Sequence, residues 1–417
     1  MRLCSAKNMK IALVFYNMTI WAGGQKQVLS LAQNLRKKGH EIVLFATDID
    51  TSVFPELWQG LSVKLIPCEY PLKKIRDQGK VRKTFVQKIA DFFSVWSSFN
   101  VLARETARIM DSDFDVVNCH EDFAYKVGFF YKKKNRHARI VWTLNNVPYF
   151  FAPEKTFRKN FTRFVFVELQ DKILEKPFFR SVDIVCVLSK YEESWARRRG
   201  MRVRIIRSGL DFDFFYSPVK NFLGKKQEIK LMSHSALGPH RRYEDTILAV
   251  KTLRDKGFSV SASIVCRETG NEQERVYKQF LLDLVARNDL KDYVHFYFDG
   301  LSENNLRALY AVSDIFLHPI FIPAPQYYGW GLVVFEAMAA GIPVVLCKVT
   351  GAAEVLADGK TALLADPQSP VSFAQKIQTL IENPNLYHEI AVRAQAYVKE
   401  HISCKKYAAE METVFTK

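Results

Sequence analysis

Between residues 331 and 346 the chain carries one ionisable side chain, Glu336, and that solitary carboxylate constrains the whole stretch 326–354, QYYGWGLVVFEAMAAGIPVVLCKVTGAAE. Ahead of it an apolar run, SDIFLHPI, ends at His-Pro. Residues 342–347 form a second short run, and 331–340 has helical length with Gly341 as its stop. The order is strand, loop, helix, strand. The helical neighbours of Glu336 at three and four positions, Leu332, Val333, Ala339 and Ala340, are all apolar. A carboxylate in such company costs several kcal/mol unless donors meet it. Either a protein group or the hydroxyls of a ligand supply them. The ligand is the favoured reading, because the helix start Gly331-Leu332-Val333 offers backbone N–H groups to an anion one turn away. A phosphate there and a sugar hydroxyl pair on Glu336 suit a nucleotide.

The first half opens in the same grammar. Residues 10–17 read as a buried strand, a loop leads to Gly23-Gly24, and Val28, Leu31, Ala32 and Leu35 share one face of a helix stopped by Gly39. Residues 41–46 form the next strand, which makes a βαβ start and a parallel sheet with ligands at the carboxyl ends of its strands. No G-x-G-x-x-G is present, which argues against a nicotinamide site. Residues 114–118 form a strand that runs into Cys119-His120. A histidine at that end serves as proton acceptor or hydroxyl anchor, or is a satisfied structural residue. Residues 139–144 form another strand, followed by Asn145, which can hydrogen-bond a sugar but cannot titrate. Strands at 182–189 and 203–206 close this half, and 217–228, SPVKNFLGKKQE, is a polar linker. A second series opens at 229–233. Its loop HSALGPHRR places Arg241 and Arg242 before a helix, where forked donors can clamp a diphosphate or merely face solvent. Strands at 259–265, 294–298 and 315–318 alternate with helices at 272–286 and 302–312, and helices at 371–380, 386–400 and 407–415 finish the chain.

With 417 residues, 48% hydrophobic and 25% charged, the chain can bury two cores. Its formal charge of +16 points to anionic partners: membrane, nucleic acid or phosphorylated substrates. Seven scattered cysteines without Cys-x-x-Cys imply reduced thiols, no zinc site and a cytoplasmic protein. No apolar run approaches the ~20 residues that span a bilayer. The basic, partly apolar start MRLCSAKNMKIALVFY is read as leading into a first strand rather than as a signal peptide. Two stretches, 72–105 and 149–166, mix aromatics with Lys and Arg. For 72–105 the mixture suits contact with acceptor or membrane or, the favoured reading, a core-facing helix with a solvated basic side; for 149–166 it suits an anionic membrane surface, a lid or helix against the core, or single-stranded nucleic acid. The membrane reading is preferred for 149–166 and nucleic acid is set aside.

The run Gly331-Leu332-Val333, Phe335-Glu336-Ala337-Met338-Ala339, Gly341-Ile342-Pro343-Val344-Val345 and Gly351-Ala352-Ala353-Glu354 resembles the donor-binding segment of family-4 retaining glycosyltransferases of the GT-B fold. That resemblance implies an α/β chain of two Rossmann-like domains facing an interdomain cleft. The implied parts are an acceptor domain at 1–216, a linker at 217–228, a nucleotide-sugar domain at 229–400 and a C-terminal helix at 401–417 crossing back to the first domain. It implies that Glu336 holds the ribose, that the Gly331 helix start and Arg241 neutralise the diphosphate with Arg242 as substitute, and that Gly23-Gly24 lies near the phosphates. Without those motifs, that glycine pair is equally well a tight turn. The resemblance further implies that His120 faces the acceptor. Tyr328 stands where the family has the first carboxylate of its Glu-x7-Glu pair, the one that contacts the transferred sugar, and a branch with Trp330-Gly331 lacks it. Tyr328 and Trp330 line the sugar pocket or pack.

The function implied is retaining, metal-independent transfer from a nucleotide-diphosphate sugar, UDP or GDP, to a glycan, lipid-linked or small-molecule hydroxyl, with no cofactor. The setting is the cytoplasm, at the membrane surface, in cell-envelope or polysaccharide synthesis. The alternatives are a phosphorylase of the same fold and a non-catalytic nucleotide-sugar-binding or membrane-associated partner.

Overall fold

The computed structural model describes residues 8–69, 71, 85–121, 123–145, 147, 173–226, 228–268, 270, 272–321 and 330–416. The stretches 149–166 and 72–84, and Tyr327 and Tyr328, lie outside the described residues. The chain divides into two compact units, Met1–Arg207 with Cys404–Lys417, and Ser208–Ser403.

In the first unit the elements run β1 (Lys10–Val14), β2 (Asn17–Met18), α1 (Gly23–Lys37), β3 (Glu41–Ala46), β4 (Asp48–Ile49), β5 (Ser62–Leu65), α2 (Phe85–Ile109), β6 (Val116–His120), α3 (Lys126–Tyr131), β7 (Arg139–Leu144), α4 (Lys176–Phe179), β8 (Ile184–Val187), α5 (Lys190–Arg197) and β9 (Val203–Ile205). Seven strands form one sheet in the order β5-β3-β1-β6-β7-β8-β9, and every pairing in it is parallel. Strands such as KIALV and RIVWTL are apolar almost throughout because helices cover both faces. From β1 the chain steps one way to β3, and from β6 the other way to β7, β8 and β9. Right-handed crossovers therefore put the helices on opposite faces. One core gathers Phe99, Leu102, Tyr125, Trp142, Phe179 and Trp195. The other packs Val28, Leu31 and Leu35 of α1 against Tyr407 and Met411 of the C-terminal helix Cys404–Thr416. Gln27 Nε2 donates to the Tyr407 hydroxyl at 3.0 Å. The crevice where the strand order reverses lies between the carboxyl ends of β1 and β6.

A charged pair sits inside this unit where sequence gives no hint of it. Lys126 Nζ and Glu175 Oε1, both fully buried, are 2.9 Å apart, and Asn100, Trp96 and Tyr125 complete the hydrogen bonds. Additional hydrogen bonds of this kind to both partners are what make a buried ion pair tolerable.

The second unit repeats the pattern. It comprises α6 (Phe212–Phe215), β10 (Ile229–Ala236), α7 (Tyr243–Asp255), β11 (Val260–Arg267), α8 (Glu272–Arg287), β12 (Val294–Tyr297), α9 (Glu303–Val312), β13 (Ile315–His318), α10 (Leu332–Ala339), β14 (Val344–Cys347), β15 (Leu363–Ala365), α11 (Pro370–Glu382) and α12 (Pro384–His401). Its parallel sheet has the order β12-β11-β10-β13-β14-β15, so the reversal falls between β10 and β13.

Residues 208–228, divided by composition between the first domain and a linker, belong to this unit. The Trp330 indole N–H donates to the Ser208 carbonyl at 2.9 Å, and Gln395 Nε2 donates to that of Ser217 at 2.8 Å. Lys220 pairs with Asp314, and Phe222 stacks on Tyr387 at 4.0 Å. Gly341, at φ +73°, lets this segment come close: a Cβ there would stand 2.9 Å from the Ser217 carbonyl oxygen.

Candidate functional site

The reversal point of the second unit collects its polar side chains. β10 and β13 pair through Leu231–Ile315 and Met232–Phe316. Two residues further on, His234 and His318 leave the sheet on the same side. His318 is buried, and burial, with Arg241 and His234 nearby, pushes it down to about 3, so its ring is neutral. The loop after β10 carries Arg241 and is tied to the loop after β13 by the Phe321 N–H, which donates to the His240 carbonyl at 3.0 Å. Gly331, at φ +74°, precedes α10, and no side chain caps that helix. A Cβ on Gly331 would stand 3.3 Å from His318 Nε2, so the glycine keeps the imidazole against the helix start.

Glu336 lies one turn into α10 and is 5% exposed, with Val334, Phe335, Ala337 and Met338 buried around it. Its donor comes from another helix: the Tyr310 hydroxyl of α9 is 3.3 Å from Glu336 Oε2. The same hydroxyl is 3.3 Å from His234 Nδ1 and 3.4 Å from the Val333 carbonyl. Burial, then the Glu336 carboxylate, holds the Tyr310 phenol protonated well past its ordinary range. Arg241 acts on the neutral His318, His318 stands against the helix start, and the Glu336 carboxylate lies one turn further along that helix, a set that suits a diphosphate joined to a diol.

Two expected residues are committed to partners within the fold. Arg242 adopts a left-handed backbone (φ 56°) and turns its guanidinium onto Asp245 Oδ1 at 2.7 Å and Glu244 Oε1 at 2.9 Å. There it braces the first turn of α7. Trp330 is buried, its indole donating to the Ser208 carbonyl and its ring stacked on Phe335 at 4.6 Å, so it packs within its own unit. Tyr328 lies outside the described residues. Leu332 and Val333 are half-buried at the helix start. Sequence reasoning missed Tyr310, His234 and His318 as site residues. Only His318, closing its strand at His-Pro, carried a readable signal.

In the first unit the equivalent reversal point holds His120, Asn145 and Gly24. His120 ends β6 and is fully buried, and neither ring nitrogen has a hydrogen-bond partner. Burial pushes it down to about 3. Its ring meets Phe15 at 6.2 Å. Asn145 follows β7, and its Oδ1 is likewise buried without a partner. A Cβ on Gly24 would stand 3.4 Å from the Phe15 ring and 3.5 Å from Asn145 Nδ2, so Gly24, Phe15 and Asn145 are neighbours. Gly23, at the start of the uncapped helix α1, has open space around its Cα. Among the described residues no group of three or more His, Cys, Asp or Glu side chains is placed to hold a metal ion.

Residues 218–397 match the family described as glycosyl transferases group 1, and residues 21–214 match glycosyltransferase family 4. The chain belongs to the family-4 glycosyltransferases. The match with curated relatives is partial for several: it spans 33% of one and 49% of another, the D-inositol 3-phosphate glycosyltransferase of Corynebacterium glutamicum, which is 32% identical over 50% of this chain. The MMP alpha-(1->4)-mannosyltransferase of Mycolicibacterium hassiacum is 23% identical over 98% of both chains. Among solved structures, HepE of Anabaena, in complex with UDP, superposes with a TM-score of 0.73 at 18% identity, covering 98% of this chain and 100% of its own. The transferase thus has the GT-B fold.

Proposed function

We propose that the transferase moves a sugar, with retention, from a nucleoside-diphosphate sugar bound at the β10–β13 reversal point to an acceptor hydroxyl held near His120. The observation that carries this reading is Glu336, a buried carboxylate one turn from an uncapped helix start, with Arg241 and neutral His318 beside that start. The binding of UDP by HepE supports a nucleotide donor, with UDP or GDP as its nucleotide.

Glu336 accepts hydrogen bonds from the ribose hydroxyls. Arg241 and the N–H groups of Gly331, Leu332 and Val333 stabilise the departing diphosphate, meeting its charge without a metal. His120 and Asn145 orient the acceptor, whose hydroxyl attacks the face from which the diphosphate leaves and passes its proton to that leaving group. Gly23 and Gly24 leave the α1 start open to phosphate or acceptor.

A membrane-surface setting is favoured by the outer side of α2, α3 and α4. Arg104 lies over Phe130 at 5.4 Å and Lys133 over Phe129 at 4.9 Å, while Val101, Lys176 and Arg180 are exposed. Cations interleaved with apolar side chains suit anionic headgroups and a lipid-linked acceptor of the cell envelope. No helix among the described residues is long and apolar enough to cross a membrane. In this reading the transferase works on the cytoplasmic face of that membrane.

The test is turnover in EDTA with a panel of UDP- and GDP-sugars, reading the anomeric configuration of the product, together with flotation on phosphatidylglycerol vesicles. Retained configuration without metal is the expected result. Nucleotide binding without turnover on any acceptor assigns a non-catalytic role, and dependence on orthophosphate assigns a phosphorylase.

A further inference from the structure

We infer that Tyr310 is a positioning residue for the donor nucleotide, acting through Glu336. The inference rests on the reading of Glu336 as the ribose carboxylate. Glu336 has apolar neighbours on its own helix, and its hydroxyl donor arrives from α9, a separate element. The phenol has one proton and three possible acceptors within 3.3–3.4 Å: Glu336 Oε2, His234 Nδ1 and the Val333 carbonyl. A charged acceptor makes the stronger bond, so the proton goes to Glu336. A His234 ring carrying its proton on Nδ1 donates in turn to the phenol oxygen, which leaves the phenol proton to the carboxylate. His234 on β10, Tyr310 on α9 and Glu336 on α10 form a bonded series that fixes the plane of the carboxylate before any nucleotide arrives.

The ring of Tyr310 has a separate task. It packs edge-on to Phe215 at 6.0 Å and tilted against Phe316 at 5.8 Å, and phenylalanine keeps both contacts. Tyr310→Phe therefore removes the hydroxyl and leaves the packing.

The experiment measures the dissociation constants of UDP, GDP and ADP for wild type and Tyr310→Phe, then repeats the best binder as its 2′,3′-dideoxy analogue, with melting temperatures recorded for both proteins. The expected result is a five- to tenfold loss for the ribonucleotide, about the worth of one typical hydrogen bond. The dideoxy analogue, which offers Glu336 no diol, changes by less than about twofold. In turnover the donor KM rises by a like factor while kcat holds. An equal loss for both nucleotides makes Tyr310 a merely structural residue and overturns the inference. If wild type binds none of the three nucleotides, the donor-site reading fails and Tyr310 loses its role with it.

Discussion

The two units place a polar site at the same point of the same topology, the reversal of a parallel sheet, yet they furnish it in opposite ways. In the second unit the side chains are bonded to one another: His234 to Tyr310, Tyr310 to Glu336, and His318 held against Gly331. In the first unit both nitrogens of His120 and the Oδ1 of Asn145 are buried with no partner. Each such orphan costs about 1–3 kcal/mol. A site that is bonded before ligand arrives is pre-organised and adds to stability. A site with orphaned groups keeps its hydrogen-bonding capacity for something still to bind, at the expense of stability. The contrast fits a donor whose diphosphate and ribose are fixed features, and an acceptor recognised by hydroxyls alone.

Perturbing the bonded site has the largest expected effect. Glu336→Ala lowers kcat/KM at least about a hundredfold, about 3 kcal/mol, because two ribose hydroxyls lose a charged acceptor; steady-state kinetics with the best donor checks it. Arg241→Ala lowers kcat by about a hundredfold and leaves the melting temperature close to wild type. Its neighbour sharpens the point: Arg242→Ala keeps kcat within a few-fold and destabilises the fold by about 2 kcal/mol, because Asp245 is left buried without its cation. Equal kinetic losses in the two variants would return Arg242 to the diphosphate.

Smaller effects follow from burial. His120 and His318 stay neutral in the fold down to about 3, while in the unfolded chain they titrate near 6.5. Below pH 6.5 the unfolded state takes up protons that the native state refuses. Stability therefore falls as pH drops from 6.5 toward 3, by up to about 1.4 kcal/mol per unit for each ring, and these groups give no pH dependence above that window. Urea unfolding at pH 7.0 and 5.5 reads this, and His120→Leu reduces the drop by about 1 kcal/mol. At pH 7 the same substitution raises stability by about 1 kcal/mol, since it removes two orphaned polar atoms, while acceptor-dependent turnover falls.

The donor site was legible as far as local chemistry reaches. Glu336 betrayed itself by apolar neighbours at helical spacing, and Gly331 by its place before the helix. Tyr310 did not, because it stands 26 residues away on another helix and the bond exists only once β13 brings α9 against α10. Arg241 and Arg242 are adjacent in sequence and equivalent on paper. A left-handed backbone at Arg242 separates them, and no residue type announces it. Trp330 was left between pocket and packing because its partner, the Ser208 carbonyl, lies 122 residues away. The strands missed in the two large sheets, β5 and β15, are edge strands of four and three residues, and the two-residue strand β4 was missed as well. His120 was legible as a strand-end histidine, but its lack of any partner is a property of packing.

The central claim is that the two reversal points divide the work, donor in one unit and acceptor in the other. Titration calorimetry of UDP and GDP into wild type, Glu336→Ala and His120→Leu tests it most directly. The account predicts nucleotide affinity unchanged in His120→Leu and weakened at least about a hundredfold in Glu336→Ala. Nucleotide binding lost equally in both variants, or untouched in Glu336→Ala, contradicts it.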